Sequence, residues 1–194
     1  HSPDEPLFSM NLFNRSPATA AIGLVALFTF SLTAGANPAF SGLWTISAAE
    51  TTTRDPEARS TATDPWRNLD IEIEVDGDQV SIIRSFRGGT RIAQETMTVD
   101  TSIPSQIVTV EGWWDNRHIG AYLGGDKEQT VAARWLDDGQ TLQLNIEMIL
   151  DTSQAETPVR VLREMRLSED GEVLAVIELR SSRNKPVVRF FKKA

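Results

Sequence analysis

Phe40-Ser41-Gly42-Leu43-Trp44-Thr45-Ile46-Ser47 opens the globular part of the chain, an apolar segment that carries a glycine and a tryptophan. It reads as the first strand of a closed or nearly closed β structure, because a long succession of short strands comes after it. Residues 48–68 are rich in Thr, Asp, Pro and Arg. They read as a long loop, and a lid and plain disorder are both open readings of it. Trp66, in Asp64-Pro65-Trp66-Arg67, is the large apolar residue that would pin this loop to the body.

Leu69-Asp70-Ile71-Glu72-Ile73-Glu74-Val75 alternates without error. Period two is the mark of a strand with one buried and one wet face. Asp76-Gly77-Asp78 is a hairpin turn, since glycine supplies the positive φ that a tight connection needs. The partner strand spans 79–87, with Val80, Ile82 and Phe86 on one face and Arg84 interrupting it. Further strands are predicted over 91–99, 106–110, 129–136, 141–150, 158–167, 172–182 and 187–193, and a short one over 118–123. The run over 141–150 is the clearest, with Leu142, Leu144, Ile146, Met148 and Leu150 in strict alternation. Glu111-Gly112-Trp113-Trp114-Asp115-Asn116-Arg117-His118-Ile119-Gly120 is the least regular part and the richest in aromatic residues. No stretch carries a helical period with caps. The fold class is therefore all-β, an antiparallel meander of about eight to ten strands joined by tight turns, in a sandwich or an up-and-down barrel.

Ahead of the opening strand, residues 18–34 are apolar and uncharged, Arg15 precedes them, and Ala34-Gly35-Ala36 closes them with small residues at alternate positions. That is the plan of a helical secretory signal peptide over 10–36, starting at Met10 and cleaved after Ala36. The apolar run is short for a membrane span of about 20 residues, so no span is expected in the mature protein. Residues 1–9 read as an upstream, non-native segment, and 37–194 as a single β-barrel domain. The expected address is periplasmic or secreted.

The composition narrows the chemistry further. A net charge of -8 gives no basic surface for nucleic acid. With no cysteine, disulfides, thiolate metal sites and cysteine nucleophiles are all excluded. The two histidines, His1 and His118, do not make a multi-histidine metal site. No cofactor or metal is expected.

Several segments together carry a family resemblance: Phe40-Ser41-Gly42-Leu43-Trp44, the 69–84 hairpin with its Asp-Gly-Asp turn, the 133–142 segment around Trp135 and Asp137-Asp138-Gly139, Leu167-Ser168-Glu169-Asp170-Gly171, and the ending Phe190-Phe191-Lys192-Lys193. On these the chain resembles the lipocalin-like β-barrels, and among them exported bacterial proteins of uncharacterised function. The resemblance implies that Trp44 closes one end of the barrel with a basic residue from near the last strand packed over it, Arg189 or Arg180, worth about 0.5–2 kcal/mol as a cation–π contact.

Arg84 and Arg163 fall in register with apolar neighbours and so point inward, where a guanidinium needs a partner. The open readings are capture of a ligand carboxylate, or else a strand end, a bulge or an internal ion pair with a glutamate such as Glu147 or Glu164. Trp113 and Trp114, adjacent in an extended chain, face opposite sides, so that one plugs the core while the other covers the barrel mouth or meets a ligand or partner. His118 with Asp115 is a candidate acid–base pair. No nucleophile elbow or Ser-His-Asp arrangement can be named, however, so a hydrolase ranks last. The acidic turns at 76–78 and 137–139 match no calcium loop. The function expected is a non-enzymatic binding protein with a barrel cavity for a small, partly apolar or amphipathic ligand held near Arg84, Arg163, Trp113, Trp114 and His118. The alternative is an envelope structural or protein-interaction module that acts through an exposed aromatic surface or a sheet edge.

Overall fold

A computed structural model describes residues 35–47, 69–88, 91–115, 122–123, 126–151, 155–182 and 186–194. Residues 10–34 of the predicted signal helix, the 48–68 loop and His118 lie outside the described residues.

The chain forms a nearly closed antiparallel meander barrel. In order its strands are β1 (Gly42–Ile46), β2 (Leu69–Asp76), β3 (Gln79–Gly88), β4 (Arg91–Asp100), β5 (Gln106–Val110), β6 (Trp114–Asp115), β7 (Tyr122–Leu123), β8 (Lys127–Leu136), β9 (Thr141–Asp151), β10 (Glu156–Leu167), β11 (Val173–Arg180) and β12 (Val187–Lys193). Ten of them make one sheet in the order β4-β3-β2-β1-β12-β11-β10-β9-β8-β5, and β6 and β7 pair separately. The first and last strands are hydrogen-bonded neighbours, with Trp44 opposite Lys193 and Ile46 opposite Phe191. Closure is therefore made by the two ends of the domain. Among the described residues, helical turns are confined to two 3-10 segments, Pro38–Phe40 and Asp137–Gly139.

The alternation predicted for the strands is what is buried. Leu69, Ile71 and Ile73 of β2 face inward, as do Leu142, Leu144, Ile146, Met148 and Leu150 of β9 and Val159, Val161, Arg163, Met165 and Leu167 of β10. The β2–β3 turn is a two-residue loop, Gly77-Asp78, closed by the pair Asp76–Gln79, with Gly77 at φ +56° in its first central position. Asp137-Asp138-Gly139, read from the sequence as a plain turn, is instead three successive left-handed residues at φ +52°, +53° and +86°. Aspartate tolerates that region because its short side chain bonds locally, and here Asp137 Oδ2 accepts from Thr141 Oγ1 at 2.9 Å.

One end of the barrel is closed by the segment ahead of β1. Asn37 Oδ1 accepts from the Ala39 N–H at 3.0 Å, and Asn37 Nδ2 donates to the Gly139 carbonyl at 3.0 Å, fixing the 3-10 turn against the β8–β9 turn. Phe40 then stands edge-on to Trp135, ring centroids 5.0 Å apart, and its carbonyl accepts from Trp44 Nε1 at 2.9 Å. Phe40, Trp44 and Phe191 are each 0% exposed, so this end is a solid apolar plug.

A basic residue near the C-terminus does cap Trp44, and the register sets which one. Lys193 lies directly opposite Trp44, its Nζ 5.2 Å from the ring centroid and 3.2 Å from the Ala39 carbonyl. The residues named from the resemblance sit elsewhere on the ladder, Arg189 opposite Val176 and Arg180 opposite Val161. An offset of a few residues along β12 moves the cation, and only the β1–β12 pairing sets that offset.

Candidate functional site

Arg84 and Arg163 do point inward, as parity requires, and both are ion-paired. Arg84 Nε and Nη2 donate to Glu95 Oε1 and Oε2, each at 2.9 Å, across the β3–β4 ladder. Arg163 Nε and Nη2 donate to the single oxygen Glu178 Oε2 at 3.3 and 3.2 Å across the β10–β11 ladder. The glutamates proposed from sequence are not these partners. Glu164 follows Arg163 directly on a strand, so it faces the other side, where its Oε1 accepts from Gln143 Nε2 at 2.8 Å. Glu147 is also on the outer surface and pairs with Arg160 at 3.1 Å. Burial, and then the nearby Arg84 guanidinium, hold the Arg163 pKa below the ordinary arginine value against Glu178 and Glu95, which raise it. The two pairs therefore sense one another inside the barrel.

Among the described residues, the side chains around Trp44 and along β9 are closely packed. Trp44, Val131, Leu142, Leu144, Leu174 and Phe191 have no surface that water reaches, and Trp135, Ala133 and Ile146 very little. A lumen beside these side chains would leave them accessible, so the continuous pocket expected from sequence is not found along them. Trp113 is buried in the same core. Trp114 lies in β6 opposite Leu123. Trp135 Nε1 is buried with no acceptor among the described residues.

The sheet has one discontinuity, between its two terminal strands, β4 and β5. Thr96 and Glu111 form an isolated bridge, Thr96 N to Glu111 O at 2.9 Å and Glu111 N to Thr96 O at 3.0 Å. At the other end of the seam the strands are joined by a side chain. The Asp100 N–H donates to Gln106 Oε1 at 3.1 Å, and Gln106 Nε2 donates to the Asp100 carbonyl at 2.7 Å. A primary amide thus takes the place of a peptide group in the ladder.

Between these two closures lies a gap. Backbone groups along a strand alternate sides. Thr96 and Asp100 both turn theirs to the seam, so Thr98 does too, and the same count from Glu111 places those of Thr109 there. Neither Thr98 nor Thr109 has a backbone hydrogen bond across the seam among the described residues. A cleft of about 240 Å³ occupies this position, lined by Thr96, Thr98, Val108, Thr109 and Glu111. Gly112, at φ +61°, brings the chain so near β4 that any side chain there would overlap the Gln94 carbonyl. The seam is set by that close approach at one end and by the Gln106 amide at the other.

The sequence marks Glu111 and Gly112 only as the start of an irregular segment, and gives none of these residues a place in a site. A strand's two edges carry no compositional signal, and only the β4–β5 register reveals that one stretch is unpaired. Among the described residues no cluster of three or more histidines, aspartates and glutamates is arranged to hold a metal, and no helix is long and apolar enough to cross a membrane. Comparison with known proteins finds no matching family model, curated protein or solved structure.

Proposed function

We propose that this chain is a non-enzymatic binding protein of lipocalin-like architecture, periplasmic or secreted after cleavage behind Ala36, that takes a small, partly apolar ligand at the β4–β5 seam. The observation that carries the reading is the cleft between Thr98 and Thr109, where backbone donors and acceptors without a cross-seam partner among the described residues share the lining with the apolar residue Val108. A concave site with an apolar floor and a few directed polar groups is the usual form of a small-ligand site. The close packing of the described core residues argues against a site beside them, and in this reading Arg84–Glu95 and Arg163–Glu178 are internal struts. Amide-resolved NMR titration of the protein with a small-molecule library tests it. Binders should perturb Thr96, Thr98, Val108, Thr109 and Glu111; binders that perturb Leu144, Ile146 and Val161 instead would place the site inside the barrel and overturn the proposal.

A second reading, an interaction module, is favoured by the apolar surface near the same seam. Ile92, Ile103 and Ile107 are 69%, 41% and 74% exposed on β4, the β4–β5 turn and β5. Exposed aliphatics beside an incompletely paired edge suit a protein partner. A polypeptide that co-purifies in native mass spectrometry, in place of a small molecule, selects this reading.

A further inference from the structure

Taking the seam as the ligand site, we infer that its ligand presents a carboxamide, with the amide seated against the Thr98 backbone and the apolar remainder over Val108. The precedent lies in the molecule itself. One ladder position along β4, the Gln106 carboxamide satisfies both the N–H and the C=O of Asp100, at 3.1 and 2.7 Å. Thr98 offers the same pair of groups toward the same side, two residues earlier on the same strand, and no described residue fills it. A group placed there must accept from one backbone N–H and donate to one backbone C=O. A carboxamide does both in one plane. A carboxylate lacks the donor, and so does an ester.

The rest of the cleft agrees with this choice. Glu111 is the charged side chain among the lining residues, and it repels a carboxylate while tolerating a neutral amide. Thr96, Thr98 and Thr109, small hydroxylated residues, line the cleft together with the buried, apolar Val108. A neutral amide with a short alkyl chain meets each of these surfaces.

The test uses the whole protein, with hexanamide, hexanoate and methyl hexanoate as probes and the Thr98 and Thr109 amide resonances as the readout. Hexanamide should shift both resonances, at concentrations where the acid and the ester do not. Thr98→Pro removes the seam donor while leaving the β3–β4 ladder groups of Met97 and Val99 in place, because a proline is tolerated where its nitrogen faces away from the ladder. Followed at the Thr109 amide, since proline carries none, that variant should bind hexanamide about tenfold more weakly, and the control Thr157→Val, on β10 outside the cleft, should bind as the wild type does. Equal shifts from all three probes at these two residues would overturn the carboxamide assignment and leave the seam as the site. No shift at the seam from any probe, alongside shifts elsewhere, would overturn the seam itself. Undiminished binding by a folded Thr98→Pro protein refutes the backbone contact.

Discussion

Glu178→Gln is expected to destabilise the protein by about 3–5 kcal/mol, whereas Glu147→Gln should cost less than about 1 kcal/mol. The two acids make a matched comparison, since each pairs with an arginine of β10 at nearly the same distance, 3.2 Å for Glu178–Arg163 and 3.1 Å for Glu147–Arg160. What differs is burial: side-chain exposure is 7% on both sides of the first pair and 80% and 61% in the second. Unit charges this far apart attract by about 5 kcal/mol at an effective dielectric of about 20, and by little over 1 kcal/mol in water. Removing Glu178 forfeits the larger attraction and leaves the Arg163 guanidinium buried, already pulled below its ordinary pKa by burial and by Arg84. Replacing both partners, Arg163→Met with Glu178→Leu, removes the desolvated charges together and should return stability to within about 1–2 kcal/mol of wild type. Urea unfolding followed by tryptophan fluorescence, applied to these three variants and to Arg163→Met and Glu178→Leu singly, gives the values and, from the slopes, shows whether the unfolded state is unchanged. The reasoning fails if Glu178→Gln and Glu147→Gln cost the same, or if the double variant costs the sum of its two single changes.

Three further outcomes are expected. Trp44→Phe keeps a ring in the plug but loses the 2.9 Å bond from Nε1 to the Phe40 carbonyl, so the urea midpoint should fall by the equivalent of about 1–2 kcal/mol. Gly112→Ala meets both a left-handed φ of +61° and the Gln94 carbonyl; a loss above about 1 kcal/mol should come with faster hydrogen exchange at the Thr96 and Glu111 amides, and unchanged exchange there would count against the seam geometry. The Asp100 carboxyl is held below the usual carboxylate range first by the Ser102 hydroxyl and then by the Ser102 N–H. A depressed folded pKa gives stability that is present above the unfolded value and lost as pH falls through the folded one. The wild type should therefore weaken on acidification below about pH 4, and Asp100→Asn should show a flatter acid limb in urea midpoints measured from pH 5 to pH 2.

The all-β meander was legible because its signal is local. Alternation along 69–75 and 141–150, and glycine turns at 77 and 171, follow from side chains pointing to opposite faces and from backbone angles that one residue controls. Parity also placed Arg84 and Arg163 inside the barrel. It would equally have excluded Glu164 as the partner of Arg163, since neighbours on a strand cannot share a face. The true partners, Glu95 and Glu178, needed the pairing of β3 with β4 and of β10 with β11. In the same way, the opening segment from Phe40 to Ser47 announced a first strand and a buried tryptophan, but the residue capping that tryptophan depended on where β12 met β1. The β4–β5 seam was illegible altogether. Its features are backbone groups at Thr98 and Thr109, identical in kind at every position of every strand, and their being unpaired across the seam is a property of two edges failing to meet. Which apolar residues go inside can be read from the chain alone, because burial follows side-chain chemistry and strand period. Which strands lie side by side, in what register, and where the ring of hydrogen bonds stays open emerge with the folded barrel, because they depend on contacts between residues far apart in the chain.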